Sequence, residues 1–286
     1  MSLLSLLIAL AVDRFLTAKY WQFSTYYQSY QHFFSKNFTA QPGNIAKAVF
    51  VLLPLVLTLL VMEWVDNNFI EWIITTFILS VCIGCPETRG LFKKFLQSAF
   101  RGKQIETNQL HQQLLTTKNL PDIGFGQALI CLNYRYYIAI ILFFIVFGAA
   151  GVLFYRLLTK VNENSQANTH TTSESENYQA PNLSRGCQNV QDVLFWLDWL
   201  PVRLCASGYM FVGHFSRALP IWIEGLFDFS KPAYQLLIDV AQQSEDISIN
   251  NDDITSQPCL LVSLAKRNVL LFCALTAALT LAGIVN

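Results

Sequence analysis

Charge is what this 286-residue sequence has least of. Lys, Arg, Asp and Glu together make up 13% of it, and 19 basic residues cancel 19 acidic ones. That is about half the charge of an ordinary soluble domain. A neutral chain lacks the basic footprint of a nucleic-acid partner, so none is expected. A soluble globule of this size would need more charge to stay dispersed. The apolar excess, 53% of residues with 22 Phe among them, therefore fits a lipid-facing surface. Catalytic signatures are missing too. There is no glycine-rich phosphate loop, no H-E-x-x-H zinc motif and no nucleophile elbow. Gly124 and Gly126 make only a lone G-x-G with no strand before it. Cys82 and Cys85 form a C-x-x-C pair, but no second pair accompanies them, and the seven cysteines follow no framework spacing. We read the pair as small packing residues at a helix end, and no metal site is expected.

What the sequence does have is long apolar runs. Four are long enough to span a bilayer, or nearly so: Ala48 to Val65, Phe69 to Cys85, Tyr136 to Tyr155 and Val269 to Val285. A helix needs roughly 20 apolar residues to cross the hydrocarbon, with about 17 as the lower limit. In lipid the backbone must satisfy its own hydrogen bonds, so all four are expected to be helical. The predicted fold class is all-α: a polytopic integral membrane protein with additional amphipathic and cytoplasmic helices. Ser2 to Val12 is apolar but too short to span. No Lys or Arg precedes it and no small-residue cleavage site follows, so it reads as a retained short helix.

The chain divides accordingly. Residues 1–158 form an N-terminal membrane part with helices at about 48–65, 69–85 and 136–155. Residues 13–45 are rich in aromatic side chains suited to the headgroup region. A polar flexible loop is expected over 159–191, with a solvated His170 inside it. Residues 192–286 form the C-terminal part. The segment 86–135 carries Arg89, Lys93, Lys94, Arg101, Lys103, Lys118 and Arg135, which places it in the cytoplasm together with the N-terminus. Leu91, Phe92, Phe95, Leu96, Ala99 and Phe100 recur at helical spacing within it. Their apolar face suits either the inner leaflet or the protein itself.

Residues 192–213 are nearly long enough to span yet contain Asp198, Pro201 and Arg203. Charges at membrane depth pair or face a polar cavity, and Pro201 leaves the Leu197 carbonyl without its amide partner. A broken or polar-lined helix is expected, with an interfacial helix as the alternative. Lys266 and Arg267 precede the last span, at 269–285, and prefer the cytoplasm. They reach it if 192–213 also crosses, making five spans with 214–267 cytoplasmic; otherwise there are four.

LDWLPVRL at 197–204, GHFSRALPIW at 213–222, Asp228-Phe229, Asp13-Arg14 and NYRYY at 133–137 together resemble the AmpE family of Gram-negative inner-membrane proteins, and the order of spans is similar as well. The resemblance implies a role in β-lactamase regulation and the β-lactam response, and a functional link to the AmpD amidase. It also reaches toward the cobalamin-pathway membrane enzymes of the CobD/CbiB group. On that likeness Pro201 and Arg203 match a P-x-R element, Asn133 an Asn of a Glu-Asn pair and Asp13 an N-terminal Asp. Mg-ATP would be the cofactor it implies. Leu132, Leu194 and Phe195 stand where that group carries acids that would hold Mg²⁺ or move protons.

The residues themselves offer one candidate ligand-binding pocket: Asp13, Asn133, Arg135, Asp198, Arg203 and His214. All are polar groups in or beside apolar segments. Arg203 could grip a phosphate or carboxylate through its fork, and Asn133 could bond a sugar or amide. The same groups could equally stabilise the bundle as structural pairs. Three functions follow. The first is a signalling protein that senses a nucleotide or a cell-wall-derived muropeptide. The second is an enzyme with altered ATP-dependent chemistry. The third is a transporter, against which the lack of an inverted-repeat signal counts.

Overall fold

The computed structural model describes residues 2–15, 21–37, 44–65, 67–170, 187–228, 231–245 and 255–283. Tyr20, Asp66, residues 171–186 of the expected loop, the 246–254 stretch and the last three residues lie outside them, as does the side chain of His170; the flanks of that loop, 159–170 and 187–191, are helical. Every regular element among the described residues is a helix. They are α1 (Ser2–Phe15), α2 (Phe23–Asn37), α3 (Asn44–Trp64), α4 (Asn68–Cys82), α5 (Pro86–Phe100), α6 (Gln104–Lys118), α7 (Phe125–Asn133), α8 (Ala139–His170), α9 (Cys187–Val212), α10 (Phe215–Leu226), α11 (Ala233–Gln243) and α12 (Ser256–Leu281). A π-helical turn, Tyr134–Ile138, joins α7 to α8. Three stretches are long and apolar enough to cross a membrane: Asn68–Phe100, Phe125–Asn164 and Ser256–Leu281, with Val49–Trp64 a shorter apolar helix.

The helices form two compact units that alternate along the chain. The first comprises residues 1–86, 140–194 and 280–286; the second comprises 87–139 and 195–279. In the first unit α1 packs on α4, and Thr76 donates its hydroxyl to Ser5 at 2.9 Å. Helix α4 starts where its sequence supplies a cap: the Asn67 side chain accepts from the Phe69 N–H at 3.0 Å. The aromatic residues of α2 gather round Phe50 of α3, with ring centroids at 4.6 Å for Tyr30, 5.2 Å for Phe34 and 5.8 Å for Tyr27. Within this unit α8 changes direction at Gly148, whose φ of 63° and ψ of −154° suit only glycine.

In the second unit the middle of the apolar face of α5 packs on α7 through Phe95. Phe95 stacks on Phe125 with centroids 3.6 Å apart, while Lys93 and Lys94 face outward. Phe95 alone of that face is buried, and Phe100 at its end is 76% exposed. Gly126 serves close packing. A Cβ there would press on Leu261 at 2.9 Å and on Pro258 at 3.1 Å, so the glycine lets α7 and α12 approach closely. Gly208 does the same for α9 against Asn268 and Phe272 of α12. Asn268 is fully buried and donates to the Cys205 carbonyl at 3.1 Å. Helix α9 runs unbroken through Pro201. A single missing amide does not end a helix whose other backbone bonds are kept.

Candidate functional site

Two of the six candidate residues, Arg135 and Asp198, meet in the second unit, and Asn133 lies one residue before the turn that carries Arg135. The π-turn makes this possible. One extra residue in the turn rotates the side chains that follow, and Tyr134, Arg135 and Tyr136 all end up buried. Tyr134 donates its hydroxyl to Asp198 Oδ1 at 2.7 Å. Tyr234, in the first turn of α11, donates to Asp198 Oδ2 at 3.1 Å. The Asp198 carboxylate, 2% exposed, is therefore held by two phenols from two different elements. Arg135 lies over the Tyr234 ring, 5.5 Å from its centroid, with Nη2 3.5 Å from the hydroxyl; its Nη1 donates to the Lys118 carbonyl at 2.9 Å. Burial pushes the Tyr234 phenol well above its usual range. The Asp198 charge adds to that shift and Arg135 opposes it. Lys118, itself buried, pairs with Glu87 at 3.1 Å and lies over the Tyr136 ring. Asn133 sits one residue before the turn and accepts from the Tyr209 hydroxyl at 3.4 Å.

Arg203 lies elsewhere in this unit. Its guanidinium donates to four main-chain carbonyls: Trp199 at 3.0 Å, Leu226 at 2.9 Å, Gly225 at 3.2 Å and Asp228 at 2.9 Å. These include the last carbonyls of α10, which have no intrahelical partner. The fork expected to grip an anion thus caps α10 and ties it to α9. Trp222 completes the tie by donating to the Arg203 carbonyl at 3.1 Å. His214 is the exposed N-cap residue of α10. Its N–H donates to the Ser244 carbonyl at 2.8 Å, and its side chain makes no capping bond. Asp13 belongs to the first unit, buried at the end of α1 with its carboxylate against Gly84.

Sequence reading passed over Glu87, Lys118, Tyr134 and Tyr234. Tyr134 lay inside the NYRYY run and could have been found there. The Glu87–Lys118 pair is 31 residues apart and no spacing rule reaches it. In the first unit it also passed over Arg156, Thr159 and Glu163, a buried polar stripe on α8. Among the described residues no group of three or more His, Cys, Asp or Glu side chains could hold a metal ion.

The family described as "Regulatory signalling modulator protein AmpE" matches residues 1–286. The chain belongs to the AmpE family. It is 28% identical over 299 residues to Protein AmpE of Shigella flexneri, and the match covers 99% of each chain. No solved structure matches. With its apolar helices, this family member is an all-α membrane protein of regulatory type.

Proposed function

We propose that this chain is an inner-membrane signalling modulator of the β-lactam response, that its N-terminus is cytoplasmic, and that the polar network round Asp198 is where it receives a nucleotide or a cell-wall-derived ligand. The observation that carries the reading is the Asp198 carboxylate itself. A buried charge is costly, and one held by two phenols beside an arginine is a functional-site candidate. The network joins the π-turn, α9 and α11, so a ligand that competes for Arg135 or for the two hydroxyls would change how three elements are tied. Arg135 and Asn133 supply the groups for a phosphate, carboxylate, sugar or amide. The basic segment 86–135 supports the orientation. The family name supports regulation. A link to the AmpD amidase on the cytoplasmic side follows from that reading.

The test is a thermal-shift titration of the full-length protein in detergent with Mg-ATP and, separately, with anhydro-muropeptides. A ligand that binds only the folded state raises its apparent stability by mass action. A rise in the wild type that Arg135→Ala abolishes is the expected result. No rise with either compound would sink the ligand reading and leave a scaffold that acts through a protein partner. In cells, Asp198→Asn should blunt β-lactamase induction while the protein stays inserted.

A further inference from the structure

The reversal inside α8 carries a conclusion about the membrane. Phe143 and Tyr155 are twelve residues apart, which in a straight helix separates them by about 18 Å. Their rings instead stack at 4.6 Å and 18°, and the Phe143 carbonyl lies 3.2 Å from where a Cβ on Gly151 would stand. The chain therefore doubles back at Gly148, the residue whose backbone only glycine adopts freely. The limb before it, Ile140–Phe147, is wholly apolar, and the limb after it stays apolar as far as Tyr155. Val146 and Phe147 at the tip are 68% and 62% exposed.

Arg156 fixes the depth of this hairpin. Its guanidinium lies over the Phe23 ring of α2, 5.3 Å from the centroid, and within electrostatic reach of Cys82, where α4 ends. Eight residues separate Arg156 from Gly148, or about 12 Å of helix. The hydrocarbon is about 30 Å thick. The hairpin thus starts at the membrane face to which α4 delivers the chain, and it stops near the middle.

We propose that Ile140–Arg156 is a re-entrant hairpin: its tip, Val146 and Phe147, is packed against lipid acyl chains at mid-bilayer, and the chain enters and leaves on one face. The third apolar stretch then makes no crossing. Lys266 and Arg267 now fall on the same face as the basic segment 86–135 without α9 crossing, so Asp198 and Arg203 need not traverse lipid. This rests on the membrane character of the chain and is independent of any ligand at Asp198.

Cysteine accessibility tests it, in the full-length chain with Cys187→Ser and Cys259→Ser as background. Val146→Cys and Phe147→Cys sit at an exposed tip; Phe147 gives up one ring contact with Phe143, so Val146→Cys serves as the check on it. Both should resist a membrane-impermeant maleimide applied to intact cells and to inverted vesicles. A fluorophore at Phe147→Cys, in nanodiscs, should be quenched more by mid-chain spin-labelled lipid than by headgroup-labelled lipid. Gln191→Cys, exposed at the start of α9, and Lys93→Cys, exposed on α5, should react from the same face. Labelling of Phe147→Cys from the face opposite Lys93 would overturn the proposal, as would labelling of Gln191→Cys from that face. Absence of quenching by any lipid would also overturn it, because the tip would then be covered by protein.

Discussion

Tyr30 donates its hydroxyl to the Phe50 carbonyl at 2.9 Å, and Phe50 is the residue whose helical partner Pro54 removes. In α3 the Phe50 carbonyl would take the N–H of residue 54, and proline has none. A free carbonyl in an apolar helix must find another donor. Tyr30→Phe should therefore cost about 1–3 kcal/mol in thermal or denaturant unfolding of the detergent-held protein. In a Pro54→Ala background the same change should cost much less, since the amide is restored. Equal costs in the two backgrounds would refute the pairing.

Gly84 is the second close relationship. Its φ is +79°, and a Cβ there would land on the Asp13 carboxylate. Gly84→Ala should destabilise by roughly 1–3 kcal/mol from backbone strain plus overpacking. Asp13→Ala added to it should recover the steric share and leave the strain. A double-mutant cycle read by melting temperature separates the two.

The Tyr134–Asp198 bond predicts that Tyr134→Phe will lower stability by about 1.5–3 kcal/mol, the range for hydrogen bonds to a charged group. Asp198→Leu should cost more than Tyr134→Phe, because it removes at once the acceptor for both phenols and the negative charge beside Arg135. The comparison is made by unfolding the variants side by side.

Arg203→Lys keeps the charge but cannot reach four carbonyls at once. The C-terminal turn of α10 should fray. Hydrogen exchange should rise over residues 222–228 while insertion into the membrane is unchanged. Exchange that matches the wild type would show that the cap does not matter.

Tyr27, buried in the first unit, has its phenol pushed up to about 12 by burial; Glu163 adds to the shift and the Asn164 amide opposes it. An unfolded tyrosine titrates near 10. A raised folded value means the native state holds its proton more tightly. This contribution to stability is therefore complete below about pH 10 and is lost as pH climbs toward about 12. Tyr27→Phe should remove that share of the alkaline loss, about 1.4 kcal/mol per pH unit for one proton. Wild-type and variant melting curves at pH 9 and pH 11 decide it.

Much of the architecture was legible in the residues. Apolar runs with little charge mark helices in lipid: α3 and α4 lie close to the runs that were read, whereas α8 continues to His170, into the stretch expected as a loop, and α12 begins at Ser256, well before its run. The site was partly legible. Arg135 and Asp198 do come together, but Tyr234 bridges them from a helix far along the chain, and Asn133 faces Tyr209 instead. Arg203 has the chemistry of an anion grip, and only the nearby end of α10 shows that its donors are already taken.

By itself the sequence determined an all-helical membrane protein, because hydropathy and helix periodicity are local properties that a short window of residues carries; its likeness to the AmpE family rests on particular motifs such as LDWLPVRL. Only the tertiary structure decided where buried polar groups find their partners and where a helix turns back. Tyr30 and Pro54 are linked through a carbonyl twenty residues from the tyrosine, and a glycine in an apolar run looks the same whether its helix runs straight or folds at Gly148. Hydropathy counts apolar residues without regard to direction, whereas backbone dihedrals and side-chain contacts depend on it.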